Sequence, residues 1–283
     1  MDWARAKSIL IFIFVLLNLF LSIMMISSFN SDNVSDEAIK NTYKVLEDRG
    51  IIVKCDIPVY NKQIGTLISS NTLLDKDLII KGFFGDEKYT ERNSNESTVA
   101  DCGNRKLLIS KVNTFVYSNS NPQETIDFAD SKRVQNYLVN LFKRLNVPFE
   151  NFYFDSMEDL PDSKRRYVFR EKKDGFWLYS NYVDIIIAKD GITYLKYNNK
   201  NVDEITKGQK IMPAYQILIK NLINNSGMVI KEINIGFGEQ NIGKDTKVLD
   251  DLPVWRVILQ KDEKIEERYF KVYNGEEVKL NVK

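Results

Sequence analysis

The chain has 283 residues, 40 basic and 39 acidic, and 43% of its residues are apolar, a balance typical of folded globular domains. A net charge of +1 gives no electrostatic reason to seek nucleic acid or anionic lipid. There is no histidine, which removes the commonest general base, the commonest zinc ligand and every His-dependent triad.

The first element is an unbroken apolar run from Ile9 to Ile26. It holds fourteen Ile, Leu, Val and Phe residues plus Met24 and Met25, interrupted only by Asn18 and Ser22. As a helix, this stretch reaches about 27 Å, close to the hydrocarbon thickness of a bilayer. Arg5 and Lys7 precede it, whereas Asp32, Asp36 and Glu37 follow. The positive-inside rule therefore predicts a cytoplasmic N-terminus over 1–7, a transmembrane helix over 8–28, and an extracytoplasmic remainder carrying 38 charges of each sign. A cleaved signal peptide is the rival reading, but the run is long for one and Met-Met-Ile-Ser-Ser-Phe is a poor cleavage site. Ile11, Val15, Asn18, Ser22 and Met25 fall on one helical face. An amide in such a face offers a hydrogen bond to a second helix, or finds a backbone carbonyl in its own.

Residues 29–35 read as a linker. The rest, about 255 residues, suffices for two domains, with a first expected over 36–150, a connection over 151–163 and a second over 164–283. A helix is predicted from Ser35, with Ile39, Tyr43 and Leu46 as its buried stripe and Gly50 at its end. Strands are predicted at Ile51–Val53, Gly65–Ser69, Leu78–Phe84, Lys106–Ser110 and Thr114–Tyr117, and a polar loop at Asn93–Thr98. Cys55 and Cys102 are the only cysteines. Outside the cytoplasm an even count invites a disulfide, which on the chain-entropy account would contribute about 4 kcal/mol; two buried thiols are the alternative.

Val134, Leu138, Leu141, Phe142 and Leu145 define a helix over Ser131–Leu145. The acids Asp155, Glu158, Asp159 and Asp162 lack calcium-loop spacing and read as a solvated linker, with Lys164-Arg165-Arg166 as a counterweight. Strands are then predicted at Arg166–Arg170 and Gly175–Tyr179 around an Asp174-Gly175 turn, and at Tyr182–Ala188 and Ile192–Tyr197 around Lys189-Asp190-Gly191. A helix from Pro213 to Ile223 precedes strands at Val229–Phe237, Val254–Gln260 and Arg268–Val272, the turn Asn274-Gly275 and a short strand at Glu276–Leu280. Gly236-Phe237-Gly238 matches no phosphate-loop spacing, and Trp177 and Trp255 read as core. The pattern is α+β with antiparallel sheets and packed helices behind one N-terminal transmembrane helix. No catalytic constellation, cofactor site or metal site is expected.

The opening Met1-Asp2-Trp3-Ala4-Arg5-Ala6-Lys7, followed by an anchor with Asn18 inside it, resembles the start of YycI proteins. Leu252-Pro253-Val254-Trp255-Arg256-Val257 with Tyr273-Asn274-Gly275-Glu276-Glu277-Val278 is similar to the strand pair of PepSY-like and YycH/YycI domains. The resemblance implies a non-enzymatic accessory protein of the sensor histidine kinase YycG (WalK), which controls cell-wall metabolism. Such proteins act with a YycH-like partner through transmembrane-helix contacts, inhibiting or activating according to lineage; self-pairing is a further option. The alternative is an anchored binding or protease-inhibitor module of PepSY type acting wholly outside. A carboxylate-dependent envelope hydrolase is a more distant third.

Overall fold

The computed structural model describes residues 3–29, 34–60, 62–124, 130–239 and 251–280. In chain order the elements are α1 (Trp3–Phe29), α2 (Val34–Asp48), β1 (Ile52–Val53), β2 (Gln63–Ile64), β3 (Leu67–Asn71), α3 (Lys76–Phe84), β4 (Thr90–Asn93), β5 (Ser97–Cys102), β6 (Arg105–Ser110) and β7 (Thr114–Asn119). They continue as α4 (Ser131–Leu145), β8 (Phe152–Leu160), β9 (Lys164–Lys173), β10 (Phe176–Ala188), β11 (Gly191–Asn198), β12 (Lys200–Ile205), β13 (Gln209–Lys210), α5 (Ala214–Leu222), β14 (Val229–Gly238), β15 (Leu252–Lys261), β16 (Lys264–Lys271) and β17 (Glu277–Val278). This is the expected α+β class, with mostly antiparallel pairing.

The predicted helix over Ser131–Leu145 is α4. Asp130 caps it by accepting from the Lys132 N–H at 2.9 Å. Asn146 closes it in the left-handed conformation (φ 52°), and the Val147 N–H reaches back to Phe142 O. Gly50 (φ 73°) ends α2 in the same way, with Ile51 N–H donating to Leu46 O.

Three expectations are corrected. Leu78–Phe84 is not a strand but most of α3. Its Leu-Ile-Ile run suggested β structure, yet Asp75 caps the N–H groups of Asp77 and Leu78, and Gly85 (φ 63°) terminates the helix. Gly82 then packs on α4, where a Cβ would lie 2.3 Å from Leu145 Cδ2. The stretch 151–163 is not a connection: most of it is β8, paired with β9 over its length. Its acids meet the basic run across the hairpin, Glu158 opposite Arg166 and Asp159 opposite Arg165. Asn93–Thr98, expected to be a loop throughout, is an exposed loop only over 94–96, with its ends paired in β4 and β5.

One sheet of thirteen strands organises the molecule, and β10 is its spine. Trp177 and Leu178 pair in parallel with Gly236 and Phe237 of β14, whereas Tyr182–Ala188 pair with β11. Along its other edge β10 runs against β9. Gly236 is required where the strands meet, since a Cβ there would lie 2.2 Å from Trp177 O. The sheet thus forks near the middle of β10, and each branch covers its own core.

The first core packs α3 and α4 on β5–β7, β9 and β11, with Leu107, Phe115, Leu138, Phe142, Phe169 and Tyr197 among its members. The second packs α2 and α5 on the other branch, around Leu46, Ile217, Leu218, Phe237, Trp255 and Phe270. The cores are nested along the chain. Residues 46–67 enter the second, residues 79–197 supply the first, and residues from 176 to 272 complete the second. The division of the cores therefore does not coincide with the expected boundary between 36–150 and 164–283.

An ion triad joins the branches. A bulge between Phe154 and Ser156 of β8 turns Asp155 inward. There its carboxylate meets Arg170 Nε of β9 at 2.7 Å and Arg256 Nη2 of β15 at 2.6 Å. The Asp155 and Arg256 side chains are 1% and 0% exposed. The rings of Trp177 and Tyr179 lie under the Arg256 guanidinium, 5.4 and 5.2 Å from its centre. Burial opposes the Asp155 charge, but Arg256 and Arg170 together outweigh it and hold the acid below the ordinary carboxylate range.

Stability from this group is present above the unfolded-state value of about 4 and is lost as pH falls through the depressed folded value. Asp155→Asn leaves two buried guanidiniums uncompensated, and is expected to cost about 3–5 kcal/mol at neutral pH. The difference from the parent should shrink in acid. Urea unfolding of the detergent-solubilised chain at pH 7 and pH 3 checks both, and an unchanged midpoint at pH 7 would remove the triad's role.

Candidate functional site: the anchor helix

Lys7–Met24 of α1 is an 18-residue window of mean hydropathy 2.4 with no part buried against the protein. Its large apolar side chains from Ile9 to Met24 are 53–71% exposed, on every face of the helix. A helix apolar all round and packed on nothing belongs in a non-aqueous solvent. It is compatible with a single membrane span leading into a large folded domain.

Ile11, Val15, Asn18 and Ser22 lie at helical spacings of 4, 3 and 4 along one line of α1. Met25 continues that line in sequence and its backbone is helical, but its side-chain surroundings lie outside the described residues. Asn18 Nδ2 donates to Phe14 O at 2.8 Å, one turn back. A single bond leaves the amide one N–H and its carbonyl oxygen for another helix. So the amide is satisfied enough to insert and retains a donor and an acceptor. Residues 30–33 of the expected linker lie outside the described residues, and residues 34–35 already belong to α2.

Cys55 and Cys102 are both free thiols in the structure, the second of the two readings that the cysteine count left open. Cys102 lies in the first core, whereas Cys55 packs against the second. Cys102 accepts from Arg105 Nη2 at 3.3 Å. Burial, with Glu232 and Asp56 adding to it, pushes the Cys55 thiol up to about 11, so it is a poor nucleophile at neutral pH.

The buried ionisable groups are committed to structure. Lys200 Nζ sits 3.0 Å from Glu239 and 3.7 Å from Asp251, and Ser180 Oγ donates to Asp251 Oδ2 at 2.7 Å. This serine and lysine therefore face carboxylates. Burial pushes the Asp251 carboxyl up, against the pull of Lys200 and Ser180. Asn181 binds the Lys200 backbone in both directions, at 2.9 Å each way, and donates to Glu171. Among the described residues no three His, Cys, Asp or Glu side chains converge as metal ligands would.

Reading the sequence missed the Asp155–Arg170–Arg256 triad. A signal was present: Glu158-Asp159 and Arg165-Arg166 sit at mirrored distances from Pro161-Asp162-Ser163, as opposite charges across a hairpin do.

Alkylation of the unreduced chain after denaturation should add two groups, and Cys55 should react only slowly while the chain is folded. Intact-mass measurement before and after denaturant reads both; no added mass would show a bridge.

The sequence model of the family described as YycI protein matches residues 29–273. No curated protein matches the sequence. Among solved structures, an uncharacterized protein from Eubacterium rectale is 13% identical, covers 86% of this chain and 99% of its own, and superposes with a TM-score of 0.54, which shows a shared fold. The C-terminal domain of YpeB from Bacillus megaterium is 10% identical over 74% of this chain and 97% of its own, with a TM-score of 0.47. YycH from Bacillus subtilis is 14% identical over 75% of this chain and 51% of its own, with a TM-score of 0.44.

Proposed function

The chain belongs to the YycI family, matched over residues 29–273, and from that premise we propose that it is a membrane-anchored accessory regulator of a sensor histidine kinase of the YycG (WalK) type. Its role is non-enzymatic. The N-terminus lies in the cytoplasm, as Arg5 and Lys7 before the span and Asp36 and Glu37 after it favour, and the folded region lies outside the cell membrane. There it pairs with a YycH-like protein.

The observation that carries this reading is α1 itself, an unpacked apolar helix with Asn18 at its centre keeping a donor and an acceptor. The face of Ile11, Val15, Asn18, Ser22 and Met25 packs against kinase helices within the bilayer. Regulation then follows from unequal contact with the two arrangements of the kinase's membrane helices, since equal affinity for both would shift nothing. The folded region sets stoichiometry by holding its partner nearby and so raising the effective concentration of the anchor.

Asn18→Leu keeps the span apolar and should weaken in-membrane association by about 1 kcal/mol, roughly fivefold. Energy transfer between labelled anchor and kinase in vesicles measures it. Exchange of 8–28 for an unrelated span should abolish kinase-dependent output while leaving the protein membrane-bound. If wall-hydrolase expression is then unchanged, the anchor-contact mechanism is wrong.

A further inference from the structure

Beside the first core, the last turns of α3 and α4, the β5–β6 turn and the end of β7 surround an open cleft of about 660 Å³. That volume lies in the range of small-molecule sites. Three cations line it, Lys88, Arg105 and Arg144, against two carboxylates, Glu87 and Glu124. Both carboxylates are engaged. Arg105 Nη2 donates to Glu87 at 2.5 Å while its Nη1 donates to Phe83 O at 3.1 Å, and the Tyr137 hydroxyl donates to Glu124 at 3.3 Å. Among the described residues, the Lys88 ammonium and the Arg144 guanidinium have no hydrogen-bond or ion-pair partner. Arg144 also answers the dipole of α4, whose last turn it occupies, but Lys88 lies beyond the end of α3 and has no such role. The cleft therefore carries one positive charge that the protein does not match.

The neutral lining supplies directional groups. Tyr117 is 6% exposed, accepts from Asn119 Nδ2 at 3.2 Å and keeps its own O–H as a donor. Burial pushes that hydroxyl up, so it stays protonated. The side-chain amide of Asn104, in the β5–β6 turn, has no hydrogen bond among the described residues. Phe83 stacks on Tyr117, with 4.4 Å between ring centroids and 16° between planes, and gives the cleft a flat aromatic wall. Arg144 and Phe83 also line an adjoining recess, so the unmatched cation and the aromatic wall are neighbours.

A flat ring beside hydroxyl and amide groups suits a sugar, whose C–H face packs on the π face while its hydroxyls exchange hydrogen bonds. One unmatched positive charge calls for one negative charge, and a guanidinium fork meets a carboxylate through two parallel bonds. We propose that this cleft binds a small sugar acid, a mono- or disaccharide carrying one carboxylate, with the carboxylate on Arg144 and the ring against Phe83. Lys88 adds attraction for the anion, and Tyr117 and Asn104 meet the hydroxyls. The site is remote in sequence from α1 and independent of the anchor-contact reading, so either can fail without the other.

Titration of D-glucuronate into the full-length chain in a sugar-free detergent, followed by ligand-observed NMR, tests this. A probe of that size should bind with a dissociation constant on the order of 1 mM. D-glucose supplies only the hydroxyls and N-acetylglycine only the carboxylate, so each should bind about tenfold more weakly. Arg144→Gln, at an exposed position and so compatible with the fold, should remove the preference for glucuronate over glucose. Tyr117→Phe should weaken both sugars several-fold, and unchanged thermal unfolding midpoints should verify that both variants fold. No glucuronate binding at about 20 mM would overturn the proposal. So would an equal response to N-acetylglycine, or a preference for glucuronate that survives Arg144→Gln. Tighter binding of glucose 6-phosphate than of glucuronate would overturn the carboxylate assignment.

Discussion

Asp155 is where the architecture is tied together. β10 belongs to both branches of the sheet, and a shared strand alone would let the branches pivot about the point where it forks. The carboxylate prevents this by holding Arg170 of one branch and Arg256 of the other within 2.7 Å in a setting almost devoid of water. Two cations on one anion would be unstable in such a place without further help. Asp155 accepts both at hydrogen-bond distance, Tyr179 O takes another Arg170 donor at 2.7 Å, and aromatic rings face the guanidiniums. The bulge in β8 is what aims the carboxylate.

The parts legible in the sequence were those in which local chemistry and tertiary demand agree. α4 was legible from the 4-3-1-3 apolar spacing of Val134 to Leu145, and the caps at Asp130 and Asn146 enforce the same bounds in the structure. The β9–β10 turn was legible because Asp174 and Gly175 adopt the positive φ that a two-residue hairpin requires. α3 was misread because its apolar run outweighed the caps at Asp75 and Gly85 in a pattern search, although the caps decide the conformation. β8 was misread because polarity suggests solvent, and a hairpin whose outer edge faces water is polar for the same reason. The nesting of the cores was not legible, since nothing local to Ile52 and Val53 announces a parallel pairing with Val229 and Ile230. For the candidate site the balance reverses. Asn18 stood out because it interrupts an apolar run, whereas its hydrogen bond to Phe14 O shows only once the helix is built.

The regulatory role proposed above requires no cleft that transforms a substrate. The protein's surfaces are suited to contact, and its buried charges are spent on rigidity. For the proposed anchor contact a rigid folded region matters, because a flexible one would dissipate any difference between two arrangements of a partner before it could bias them. In that proposal, stiffness of the folded region and a weak, specific hydrogen bond from the anchor are complementary properties.

The nested cores also dictate a temporal order. During synthesis the segment that follows the anchor helix, α2 with β1, emerges first, yet its packing partners in β14–β16 emerge last. The intervening unit built on α3, α4 and β5–β7 can assemble while that first segment waits. A prematurely terminated chain would consequently lose order in α2 and β1 and keep it in the first core. The C-terminal strands thus act as the final fastening for the segment that was synthesised just after the anchor helix.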